Sequence, residues 1–207
     1  RAESPGPSVG KLVPKVKHTA RILYIIYLGL SLIEFIILLL AKMPVFDAMN
    51  TTFGTAGTGG FGIKNSSLGG YSVTIQWIVT VFMILFGVNF NAYYLMLFGS
   101  IKKALTMEEV RAYFGIILTS IVIITINIYS MCSSVWDAIT KSAFQVGSII
   151  TTTGFSTIDF NLWPQTSKTI LVLLMFVGAC AGSTGGGIKV SRFVILIKTM
   201  VKELNSY

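Results

Sequence analysis

Two short stretches decide the reading: Thr58-Gly59-Gly60-Phe61-Gly62, and Thr151-Thr152-Thr153-Gly154-Phe155-Ser156. Each follows an apolar segment too short to cross a bilayer, Val45–Ala56 before the first and Val135–Ile150 before the second. A spanning helix needs about 20 apolar residues. Each pair of segments also lies between longer apolar runs. Gly-rich, polar backbone survives at membrane depth only where it lines protein or water. A half-helix followed by such backbone therefore predicts a loop that enters the membrane and returns.

The flanking runs are Ile22–Ala41, Val73–Phe98 and, roughly, Phe114–Met131. A fourth begins at Thr169, breaks at Gly182–Gly187 and resumes over Val190–Val201. Hydrophobic residues make up 53% of the 207 and charged residues 12%. A soluble domain is nearer a quarter charged, so lipid is the expected solvent. The order is span, loop, span, twice over. Phe46-Asp47-Ala48 and Trp136-Asp137-Ala138 open the two half-helices as a faint internal echo. The expected fold is an all-α membrane protein of tandem transmembrane helix–pore loop–transmembrane helix repeats, like a potassium channel. Its expected parts are a cytoplasmic amphipathic lead-in over 1–20, a first repeat over 21–103, and a second over 104–207 with a broken last helix.

Charge sets the expected orientation. Lys and Arg at 1, 11, 15, 17, 21, 102, 103, 111, 189, 192, 198 and 202 fall on one side; only Lys42, Lys64, Lys141 and Lys168 fall on the other. By the positive-inside rule both termini are cytoplasmic and both loops open outward. The net charge of +8 is thus a topology signal, not a nucleic-acid footprint.

Both loops resemble the Thr-Val-Gly-Tyr-Gly filter of potassium channels, whose carbonyl oxygens replace an ion's water shell. Glycine at the third position, Gly60 or Gly154, permits backbone angles that aim carbonyls at the pore axis. K⁺ would be held by those carbonyls. Phe61 and Phe155 would pack behind the loop, and Thr would supply a hydroxyl at the inner end. Gly57, Gly59 and Gly62 match a dinucleotide fingerprint, but the next acid is Glu108, across a span. Ile188 occupies the lysine position of a phosphate loop, so that reading fails too. Cys132 and Cys180 fit no metal spacing and no nucleophile–base pair is visible. Neither an enzyme nor a bound cofactor is expected; K⁺ is cargo.

Gly178–Gly187 is ten small residues inside an apolar segment. Its three consecutive glycines each cost a helix about 1 kcal/mol relative to Ala. Lipid cannot satisfy the freed backbone, so the break must face water or protein. Gly182, Ser183, Thr184, Gly185, Gly186 and Gly187, with the charge of Lys189, read as a mobile gating loop below the filter. Close packing through Gly178-x-x-x-Gly182 is the structural alternative. Glu34 is an acid within a span, either functional or paired with another repeat. Asn89 suits an interhelical hydrogen bond, Asp47 and Asp137 suit half-helix caps, and Asp159 sits at the outer mouth.

These residues together resemble the Trk/Ktr/HKT superfamily of K⁺ transporters over nearly the whole chain. The resemblance runs from Arg1–Pro7 and Lys11–Pro14 through Thr58-Gly59-Gly60-Phe61, Gly87-Val88-Asn89-Phe90 and Thr151–Phe155. It is most specific at Gly182-Ser183-Thr184-Gly185-Gly186-Gly187-Ile188-Lys189. It implies four repeats around one pore, of which this chain resembles the second and third. The remaining repeats would come from the same polypeptide. It also implies filter glycines at Gly60 and Gly154, a gating loop at 182–189, a homodimer, and a bacterial plasma-membrane location. A cytosolic ring of nucleotide-binding regulatory subunits, of the TrkA kind, is the implied partner. Gly62 departs from the family's usual Ser. Two rivals stand beside this reading. A broken-helix secondary transporter would require inverted repeats; a non-conducting assembly subunit would tolerate loss of the filter glycines.

Overall fold

The computed structural model describes residues 16–205. Residues 1–15, with the motifs at Arg1–Pro7 and Lys11–Pro14, lie outside them. Among the described residues every regular element is helical. Helix α1 (Val16–Leu40) and α6 (Glu108–Ile128) are each long and apolar enough to cross a membrane. Their outward faces carry Ile25, Leu28, Leu32, Ile36, Leu118, Val122 and Ile126, all exposed. An apolar outer face suits lipid or further helices, not water.

The half-helices α2 (Val45–Ala56) and α7 (Val135–Ile150) have the bounds that the short apolar stretches predict. Ser134 caps α7 by accepting from the Asp137 amide, and Asp137 accepts from the Ser133 amide and pairs with Lys141 at 2.7 Å. Asp47 does not cap α2 as expected. The N-cap is Pro44, without a side-chain bond, and the Asp47 carboxylate instead accepts from the Tyr71 hydroxyl at 2.7 Å. Helix α7 lies at the centre, against α3 (Val73–Phe86), α6 and α8 (Gln165–Phe176). The indoles of Trp77 and Trp136 stack at 5.4 Å, and Trp77 Nε1 donates to Thr140 Oγ1 at 3.0 Å, tying α3 to α7.

The second apolar run is not one continuous helix. It breaks after Phe86, and α4 (Phe90–Phe98) leaves α3 at 89°. The cause is tertiary. A Cβ on Gly87 would lie 2.2 Å from the Tyr113 hydroxyl, so only glycine lets α6 approach. Asn89 then caps α4 by accepting from the Asn91 amide. The fourth run also breaks earlier than its glycines suggest: α8 ends at Phe176, and α9 (Val190–Leu204) begins after a 177–189 linker. With 14 residues in α3 and 12 in α8, each rises only about 20 Å. Both second helices are therefore short, and each break places polar backbone inside the fold. A short helix α5 (Ile101–Leu105) turns the chain from α4 into α6.

Candidate functional site

Both half-helices end in the same motif. The amides of Thr58 and Gly59 donate to the carbonyls of Thr55 and Gly54; those of Thr152 and Thr153 donate to Ile149 and Ser148. The Gly60 and Gly154 amides also reach back, to Gly54 and Ser148. Each bond in the second loop sits 94 positions after its counterpart in the first. These are Schellman ends, with a left-handed residue just past the helix. That residue is Thr58 (φ 51°) in one loop and Thr152 (φ 59°) in the other, in place of the usual glycine. A β-branched residue there is strained by about 1–3 kcal/mol.

The handedness then alternates. Thr58 and Gly60 (φ 68°) are left-handed with Gly59 between them; Thr152 and Gly154 (φ 90°) are left-handed around Thr153. Alternating handedness turns successive peptide groups to a common side, as in backbone nests. Among the described residues no hydrogen bond reaches the carbonyls of 58–60 or 152–154. The next carbonyls are occupied: Phe61 O accepts from Asn50 Nδ2 at 2.9 Å, and Phe155 O from Ser148 Oγ at 2.5 Å. Asn50 and Ser148 were not legible as site residues, since both look like ordinary polar positions of a half-helix.

The two phenylalanines differ. Phe155 is 1% exposed and packs among Leu38, Phe144 and Val79. Its ring tip also reaches across to α2, where a Cβ on Gly54 would meet Cζ at 2.8 Å. Phe61 is 81% exposed, so it does not pack behind its loop as expected. The glycines differ as well. A Cβ on Gly60 would lie 1.9 Å from the Thr153 carbonyl oxygen, whereas one on Gly154 would meet nothing within 4 Å. Gly62 lies against Ser67, where a Cβ would sit 3.2 Å from Cα. Ser67 Oγ accepts from the Ser156 amide, and Leu68 N–H donates to Ser156 O. The segment after the first loop thus holds the exit of the second. A groove of about 430 Å³ there is lined by Asn65, Ser66, Ser156, Thr157, Asp159 and Phe160. Asp159 caps the turn at Asn161. Burial pushes the Tyr71 hydroxyl up to about 12, with the Asp47 hydrogen bond and charge reinforcing it. Tyr71 therefore stays a donor at physiological pH and secures this segment.

The glycine loop sits against the inner ends of both stretches. Thr58 Oγ1 donates to Thr184 O at 3.2 Å, and the Gly186 amide donates to Thr152 Oγ1 at 2.7 Å. The first break holds it too: Phe90 N–H donates to Gly182 O, and the amides of Cys180 and Thr184 donate to Gly87 O and Phe86 O. Lys189 folds back so that Nζ bonds the carbonyls of Gly185 and Gly186. The loop, read from the sequence as mobile, is held in this structure. Its side chains are small, but its backbone is tied at many points. A Cβ on Gly178 would lie 2.4 Å from Gly186 O, so close packing at Gly178 accompanies the loop. Two further ties involve Glu109, which the sequence did not mark: Oε1 accepts from the Ala181 amide at 2.5 Å and Oε2 from Asn89 Nδ2 at 3.1 Å.

Glu34 is fully buried, and no described residue hydrogen bonds its carboxyl oxygens. Thr55, its hydroxyl neighbour, donates to Thr51 O instead.

Comparison with known proteins agrees with this architecture. The TrkH family model, "Cation transport protein", matches residues 1–207. The Trk system potassium uptake protein TrkH of Salmonella typhimurium is 37% identical over 99% of this chain and 43% of its own length. The TrkG protein of Escherichia coli K12 is 32% identical over 99% of this chain and 43% of its own. The crystal structure of the potassium transporter TrkH from Vibrio parahaemolyticus superposes with a TM-score of 0.86 at 33% identity, covering 95% of this chain and 43% of that one. The chain spans less than half the length of these relatives. Family match, relatives and fold agree, and the chain belongs to the TrkH family of cation transport proteins.

Proposed function

We propose that, within its full-length protein, this chain supplies two of the filter segments of a potassium-conducting pore and the loop that gates it. The filter segments are Thr58–Gly62 and Thr151–Ser156; the repeats that carry them are 21–103 and 104–207. The reading rests on one observation above all: in both loops, backbone of alternating handedness leaves the same three carbonyls without a hydrogen-bond partner. Uncharged carbonyl oxygens in such an array can replace the hydration shell of a large monovalent cation. The curated relatives are potassium uptake proteins by name. The two loops repeat in the same sense, which favours a rotationally arranged pore over inverted transporter repeats.

Gly182–Lys189 is the gate. It occupies the threonine hydroxyls that would otherwise be the innermost ligands of the ion. The remaining repeats of the polypeptide complete the pore, a second copy pairs with it, and a cytosolic nucleotide-binding ring regulates it. Potassium uptake by the full-length protein in proteoliposomes, with Na⁺ as competitor, tests the reading. Uptake that Na⁺ displaces at equal concentration would refute a K⁺ filter.

The charge distribution supports cytoplasmic termini in a bacterial plasma membrane. A cysteine at position 64 or 168 should react with an impermeant thiol reagent outside intact cells, and one at 103 should not. Labelling at 103 with none at 64 would invert the topology.

A further inference from the structure

Glu109 stands where three elements meet. It lies in the first turn of α6, where the helix dipole favours a negative charge. One carboxylate oxygen takes the Ala181 amide, freed by the second break; the other takes the side chain of Asn89, the cap at the first break. The neighbouring Glu108 pairs with Lys198 of α9 at 2.6 Å, beyond the loop. The start of α6 therefore grips the glycine loop and the helix after it. Immediately before it, α5 and the turn at Thr106 expose Lys102, Lys103 and Leu105.

We propose that Glu109 is a positioning residue that latches the glycine loop against the inner ends of the filter, so that movement of the α5–α6 corner releases the loop. The inference rests on the gating reading above and adds to it the group that transmits the release. A hydrogen bond to a carboxylate is worth more than one between neutral groups. Glu109 makes two of them, one to a backbone amide that the second break leaves without an intrahelical partner and one to the side chain that caps the helix after the first break. Breaking them frees Ala181 and Asn89 together and leaves the loop held at the first break by the backbone bonds of Phe86, Gly87 and Phe90 alone. Coupling through a single carboxylate explains how a basic, exposed corner can act on backbone at the filter.

The test uses the full-length protein in proteoliposomes with and without its cytosolic partner. Glu109→Ala removes both acceptors. Glu109→Gln is nearly isosteric and keeps one acceptor for Ala181, but sets an amide donor against Asn89. Both should insert normally and raise partner-free K⁺ flux, Glu109→Ala by about tenfold and Glu109→Gln by less. Neither should alter the K⁺ over Na⁺ ratio. Neither should add to the flux once Gly185–Gly187 are deleted, which separates a latch from a merely structural residue. The proposal is overturned if flux in both variants is unchanged or falls, if their effect adds to that of the deletion, or if neither variant inserts. A deletion that raises flux while both Glu109 variants behave as wild type removes the latch and leaves the gate. No rise in any of the three removes the gate itself.

Discussion

Deleting Gly185–Gly187 should raise partner-free K⁺ flux by at least about tenfold, a factor equivalent to roughly 1.4 kcal/mol. The deletion removes the Gly186 amide that bonds Thr152 and both carbonyls that hold Lys189. It also removes about 10 Å of extended reach, so the shortened chain between α8 and α9 cannot extend under both loops. Thr152 then regains its hydroxyl, and the inner end of the filter opens to water. The filter glycines are untouched, so K⁺ over Na⁺ selectivity should stay at the wild-type value. Isotope uptake into proteoliposomes measures both quantities. Wild-type flux from a normally inserted deletion protein would mean that the loop is structural.

The second large effect separates two glycines that look alike in sequence. Gly60→Ser should abolish K⁺ flux and lower the thermal stability of the protein. Its Cβ would lie 1.9 Å from the Thr153 carbonyl, so the two loops must move apart. The left-handed φ of 68° adds strain. Gly154→Ser should leave the protein folded and conducting, because its Cβ meets nothing within 4 Å. There the cost is about 1–3 kcal/mol of backbone strain at φ 90°. Relaxing that strain turns the unpaired carbonyls away from the ion. Gly154→Ser should therefore cut K⁺ over Na⁺ selectivity severely while lowering thermal stability less than Gly60→Ser does. Melting curves and competitive uptake on both variants check this. Wild-type selectivity in Gly154→Ser would end the filter assignment, and matching phenotypes would end the distinction between the loops.

The half-helices were legible because their bounds are written locally. Pro44 and Ser134 stand at the starts, and threonine and glycine follow the ends. Each apolar stretch is too short to be anything else in a bilayer. The break after Phe86 was not legible. Gly87, Asn89 and Asn91 lower the hydropathy only locally inside one long apolar run, and the bend is fixed by Tyr113, 26 positions beyond Gly87. Hydropathy also misplaced the end of α8, because Val177, Ala179 and Cys180 are as apolar as helix residues while the backbone of Ala179 and Cys180 is engaged elsewhere. The glycine loop was visible as a defect in a helix, but its anchors were not. They come from Thr58, Phe86, Gly87, Thr152 and Glu109, all distant in sequence. Phe61 and Phe155 show the same limit. One residue type at one motif position is exposed in the first loop and buried in the second.

In a filter, the unpaired carbonyls of the two loops face a common ion. Anomalous scattering from crystals of the full-length protein grown in Rb⁺ or Tl⁺ locates that ion. Anomalous peaks should lie on the pore axis within coordination distance of the Gly60 and Gly154 carbonyls and be lost when Na⁺ replaces the heavy ion. Peaks that avoid both glycines, or an ordered pore with none, would contradict the filter assignment.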